Sequence, residues 1–286
     1  MNFFEEIEFK NWNELKTFFG DKNSSWCFRG QSNYNWKLTT SMDRVEIPFQ
    51  DLKNYKKEFE SYMIRDFKRH TEFHYDNPYL TSTDFQIISL LQHHGAPTRL
   101  LDFTQSPYIA SFFAIDNCYK ECAIYAINYM ELLSSTRLLF KNQLDDNSDE
   151  INGYKFSGNM SANNVFDKLV LGERQFQFVE LVQPFSYFER LVKQQGVFLC
   201  QGDLKIDFES NLYSNYLIAL ENGFSPMYKI KIPSKWRMEI LKDLNRMNIN
   251  NGTLFPGLDG HFKSLKNTFD FSVSDRKEHL TKDYFK

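Results

Sequence analysis

Apolar residues recur at helical spacing in KNWNELKTFF (10–19), where Trp12, Leu15, Phe18 and Phe19 mark one face and Gly20 ends the run. After the loop 21–25, the aromatic segment 26-WCFRG-30 predicts a strand closed by glycine. Residues 50–73 predict a long helix with Leu52, Tyr55, Phe59, Tyr62, Met63 and Phe67 on its apolar stripe. A helix over 83–94 is capped by Thr83 or Ser82 and stopped by Gly95 and Pro97. Another over 106–117 has Ser106 as its cap and Pro107 at its first position. Strands are predicted at 122–129, 177–184, 196–202 and 227–233. Residues 234–248 predict an amphipathic helix capped by Ser234, and 253–266 a turn feeding a short helix. The stretch 144–153 is acidic and turn-rich, so an exposed insertion is expected near 141–165. Residues 1–266 are then one domain, and 267–286 a polar tail. Strands and helices mix without steady β–α–β alternation. That predicts an α+β fold, a mixed or antiparallel sheet with flanking helices.

Composition narrows the function classes. A chain of 286 residues that is 42% hydrophobic and 17% aromatic, with 29 Phe, is not a disordered one. The net charge of −3 supplies no global basic field, so broad duplex nucleic-acid binding is not expected. A small nucleotide or a single-stranded end stays open as a partner. Cys27, Cys118, Cys122 and Cys200 lack zinc-ligand spacing and read as buried free thiols, with no metal. There is no signal-like start and no uncharged apolar run of about 18 residues, so a cytoplasmic protein is expected, with no membrane partner. The sequence has no GxSxG, GxxxxGK[ST], HExxH or GxGxxG.

Three segments carry candidate chemistry. In 26-WCFRGQ-31, Arg29 offers a guanidinium fork suited to phosphate or carboxylate, and Gln31 an amide. Gly30 permits close approach of a ligand or of backbone. The alternative is an arginine that holds a loop. In 92-QHHGAPTRLLDFT-104, His93 is a candidate general base, because imidazole titrates near neutrality. Thr98, Arg99, Leu100, Leu101 and Asp102 read as a loop dense in donors and acceptors. Arg99 and Asp102 either pair internally or act together, Asp102 aiming Arg99 at a ligand. In 190-RLVKQQGVF-198, Arg190 and Gln195 either rim a pocket or bond a sheet edge.

Together these segments resemble the FRG domain family, named for its Phe-Arg-Gly motif, here 28-FRG-30. The family's middle signature is similar to 92-QHHGAPTRLLDFT-104 with 110-ASFFA-114, and its later ones to 190-RLVKQQGVF-198 and 254-LFPGLDG-260. The resemblance runs from about residue 10 to 267. The family occurs as a bacterial and phage-associated domain. Two features are similar to the ADP-ribosyltransferase superfamily, which starts its NAD site with an arginine or histidine on an early strand. A polar strand-to-helix segment then follows. Arg29 takes the first role and Thr98 to Phe113 the second. The resemblance implies NAD as substrate and an ADP-ribosyltransferase-like or NAD-cleaving effector, such as a toxin or phage-defence component. In it, Arg29, Gly30, Gln31, Thr98, Arg99, Arg190 and Gln195 bind substrate, and His93 and Asp102 act in catalysis. The superfamily carries a late glutamate. This chain has Gln195 there, which leaves Asp102, Glu173 or Asp259 as the carboxylate. The alternative implied is a non-catalytic module that binds a nucleotide, nucleic acid or partner protein.

Overall fold

The computed structural model describes residues 3–46, 54–71, 83–143, 165–184, 188–225, 227–265, 269 and 271–272. Its strands are β1 (Glu5–Glu8), β2 (Trp26–Gln31), β3 (Leu100–Thr104), β4 (Glu121–Asn128), β5 (Val179–Val182), β6 (Gly196–Gln201) and β7 (Tyr228–Pro233). They form one seven-stranded sheet in the order β1-β7-β4-β2-β3-β6-β5. β1 runs parallel to β7, and every other neighbour is antiparallel. This mixed sheet with flanking helices is the α+β fold that the pattern predicts.

The first four helices among the described residues are α1 (Trp12–Gly20), α2 (Tyr55–Thr71), α3 (Asp84–His93) and α4 (Pro107–Ile115). Helix α1 is capped by Asn11, α3 by Thr83 and α4 by Ser106, each side chain accepting from the backbone N–H three residues on. Trp12, Leu15, Phe19, Phe28, Phe112 and Ile124 fill a core between α1, α4 and one sheet face. On the opposite face, Cys27, Leu101, Phe103, Val197 and Leu199 pack with Leu38 and Phe208. Side chains two apart on a strand share a face, so β2 and β3 divide their residues between these layers. All four cysteines are buried free thiols. No helix among the described residues is long and apolar enough to cross a membrane.

The sheet is nearly divided at its centre. β2 matches β4 in six residue pairs and β3 matches β6 in five, but β2 and β3 meet at the single pair Phe28↔Thr104. Beyond that pair the two strands diverge. Gly30 sits at the divergence, where an added Cβ would collide with the Ala110 carbonyl oxygen and stand 2.5 Å from the Ala114 nitrogen. The glycine therefore lets α4 lie directly on β2.

Several predicted elements need correction. Residues Leu100–Thr104 form a strand, not a loop: Leu101 and Phe103 turn into the core while Asp102 between them stays exposed. The helices Tyr129–Gln143 and Phe208–Glu221, and strand β1, lie in segments where no element was predicted. Ser234 opens a 3-10 turn over Ser234–Trp236, and the following α-helix Arg237–Arg246 has no side-chain cap. The acidic stretch 144–153 and nearly all of the tail lie outside the described residues.

Candidate functional site

A cavity of about 840 Å³ opens at the divergence of β2 and β3. Its size is that of pockets that enclose small ligands, roughly 300–1,000 Å³. Strand β2 contributes Phe28 to Gln31, and β3 contributes Asp102 to Thr104. Helix α3 contributes Gln92 and His93. The short helix Glu189–Lys193 and the turn after it add Arg190 and Gln194.

Arg29 and Gln31 are two apart on β2 and so project together. Where the backbone ladder fails, Arg29 Nη1 donates to the Asp102 carbonyl at 2.5 Å, bridging the gap between the strands. The Arg29 Nε is buried and has no hydrogen-bond partner among the described residues. Burial pushes the Arg29 guanidinium down from its usual range; the Asp102 carboxylate opposes this and the neighbouring Arg44 adds to it. Gln31 is 7% exposed; its Nε2 donates to the Lys37 carbonyl at 3.3 Å, and its Oε1 is buried without a partner. An unpaired buried donor and an unpaired buried acceptor thus share one cavity wall. Such groups are costly unless a ligand or water meets them.

Asp102 is held by a relay. Thr98 Oγ1 donates to Gln92 Oε1, and Gln92 Nε2 donates to Asp102 Oδ2 at 2.9 Å. The carboxylate stays exposed to the cavity at the end of this chain. His93 stacks on Phe188 with ring centroids 4.8 Å apart. Burial pushes its imidazole below the ordinary value, helped by His94 and Arg190, so the neutral form dominates at neutral pH. Arg190 lies over the Phe255 ring at 5.0 Å.

The structure brings together Arg29, Gly30, Gln31, His93, Asp102 and Arg190 of the sequence-predicted residues. It does not bring in Arg99, Thr98 or Gln195. Arg99 is wholly buried away from the cavity, its guanidinium paired with Glu60 at 2.5–3.0 Å. It also donates to the carbonyls of Val170, Gln201 and Gly202. Asp102 therefore does not orient it, and Arg99 is a structural ion pair. Thr98 is buried too; its hydroxyl donates to Gln92 and accepts from the Leu100 N–H. Gln195 is exposed, with φ 45°, and spends its carbonyl on the Gln105 N–H. Its neighbour Gln194 lines the cavity instead, its Nε2 donating to the Leu254 carbonyl and its own carbonyl accepting from Thr104 Oγ1. Of the three candidate carboxylates only Asp102 reaches the cavity. Glu173 is exposed beside Lys57, and Asp259 is exposed on the helical residues 258–265.

Trp36, Lys37 and Arg44 are among the cavity residues that the sequence did not single out. They lie on the irregular strap after β2. An aromatic residue beside a cation, a few positions past FRGQ, was the available signal. Among the described residues the wall thus carries Arg29, Lys37, Arg44 and Arg190 against the single carboxylate of Asp102. This balance favours an anionic ligand.

The FRG domain family model matches residues 24–122. Searches of curated proteins and of solved structures found no match. The matched span holds Arg29, Gly30, Gln31, Trp36, Gln92, His93 and Asp102; Arg190 and Gln194 enter the same cavity from beyond it. The chain therefore carries an FRG domain, with the cavity walls from β2 and β3 inside it.

Proposed function

We propose that the cavity binds a nucleotide and that the protein is an NAD-using enzyme, ADP-ribosyltransferase-like or NAD-cleaving. The observation that carries this is one cavity, between diverging strands, joining a cationic wall to one oriented carboxylate. In this reading Lys37, Arg44 and Arg29 face the diphosphate. Arg29 Nε and Gln31 Oε1 meet sugar hydroxyls, which can both accept and donate. Asp102 lies against the ribose, where its negative charge stabilises the positive charge that develops as the bond to nicotinamide breaks. Neutral His93 takes the proton from the attacking water or acceptor hydroxyl. An effector role, as a toxin or phage-defence component, follows from depletion of NAD or modification of a target.

A second reading has one observation in its favour. The late segment supplies an amide, Gln194, and the cavity has no carboxylate besides Asp102 among the described residues. A binding module for a nucleotide, a nucleic-acid end or a protein partner would use the same wall without turnover.

The test is to follow NAD⁺ loss, and ADP-ribose adducts by mass spectrometry, with wild type, Arg29→Ala and Asp102→Asn. The enzyme reading expects turnover that Asp102→Asn reduces by at least about 100-fold while NAD⁺ still binds. Arg29→Ala is expected to weaken binding itself. Nucleotide binding by wild type with no turnover, alone or with cell extract as acceptor, would leave the binding module.

A further inference from the structure

We infer that Trp36 is a stacking platform for a flat heteroaromatic ring of the ligand; this rests on the nucleotide reading above and names the part of the ligand that Trp36 recognises. Trp36 is 55% exposed and lines the cavity, although large aromatic side chains usually bury most of their surface. The other three tryptophans, Trp12, Trp26 and Trp236, are 1%, 6% and 7% exposed.

The exposure is not that of a loose loop. Tyr34 N–H donates to the Glu121 carbonyl at 3.0 Å, and Tyr125 Oη donates to the Trp36 carbonyl at 2.9 Å. Two residues on, Leu38 is 1% exposed in the core, and its N–H donates to Glu209 Oε1 at 2.9 Å. The backbone on either side of the indole is thus fixed to strand β4, to the core and to the helix Phe208–Glu221. A backbone already fixed at the base of the indole lowers the ordering cost of binding, which favours a stacking site. Lys37 and Arg44 line the same cavity and the Arg44 charge acts on Arg29, so a ring joined to a phosphate can meet the indole and a cation at once. Stacking on an aromatic side chain tolerates any base, because every base has a π-face.

Three probes separate the contributions: inorganic pyrophosphate has charge and no ring, ADP-ribose carries adenine, and nicotinamide mononucleotide carries nicotinamide. Binding is measured by calorimetry and by tryptophan emission, where the exposed fraction reports Trp36. A ring-bearing probe is expected to quench that fraction, and pyrophosphate to bind without quenching it. Trp36→Leu is expected to weaken the ring-bearing probe about 5- to 150-fold and to leave pyrophosphate unchanged. Trp36→Phe keeps most of the affinity while losing the signal. Response to ADP-ribose alone assigns adenine, and to nicotinamide mononucleotide alone assigns nicotinamide. Equal binding of ring-bearing probes to wild type and Trp36→Leu would overturn the stacking role while the nucleotide reading stands. If no probe binds wild type, the nucleotide reading fails and the stacking role fails with it.

Discussion

His93 and Asp102 line the same cavity from neighbouring elements, in different surroundings. The Asp102 carboxylate is exposed and bonded to Gln92, while His93 is stacked against Phe188 and faces Arg190. The folded-state value of His93 is lowered from 6.5, first by burial and then by His94 and Arg190. The folded state thus prefers the neutral ring. The stability this contributes is complete above pH 6.5 and is lost as pH falls below it. An NMR titration of the imidazole is expected to show a midpoint below 6.5 that rises towards it in Arg190→Ala. A midpoint at or above 6.5 would remove the reason for treating His93 as a neutral base. Sequence made His93, Asp102, Arg29 and Arg190 legible because each is a polar group beside a glycine or an aromatic run. It did not make Arg99 legible: whether an arginine faces a ligand or a buried carboxylate depends on Glu60, which comes from a helix thirty-nine positions earlier.

At the scale of elements, the Glu60–Arg99 pair is what ties helix α2 to the start of β3. Burial pushes the Arg99 guanidinium down, but Glu60 more than offsets this and its pKa ends raised. Removing one partner leaves a buried charge alone, so Arg99→Met or Glu60→Leu is expected to cost about 3–5 kcal/mol in urea unfolding. The double substitution is expected to cost clearly less than the two singles added together. Additive losses would mean that the pair contributes no coupling. Helices α1, α3 and α4 were legible because caps and periodic apolar residues agree in them. Strand β3 was not, because five residues with a charge at the centre satisfy no periodic template. The helix Phe208–Glu221 escaped for a related reason. Its Asn211 and Asn215 are fully buried and look like loop residues until their partners are seen: Asn211 bonds the backbone at Asp203, and Asn215 bonds Val179 and Ser135.

For the whole molecule, the seam at Phe28↔Thr104 has a mechanical meaning. Two well-paired half-sheets, β1-β7-β4-β2 and β3-β6-β5, share one backbone bridge, the Arg29 link to Asp102 and the packing of α4. Such a join has fewer paired residues than the β2–β4 and β3–β6 ladders beside it, so opening is expected to start there. Backbone amides flanking the seam are expected to exchange with deuterium sooner than those of the β2–β4 ladder. Pyrophosphate or a nucleotide in the cavity is expected to slow them most, because it would touch both halves. Uniform exchange across β2 would argue that the halves move as one. A molecule seated there is then a rivet as much as a guest: filling the cleft and stiffening the protein become one event, and each measures the other.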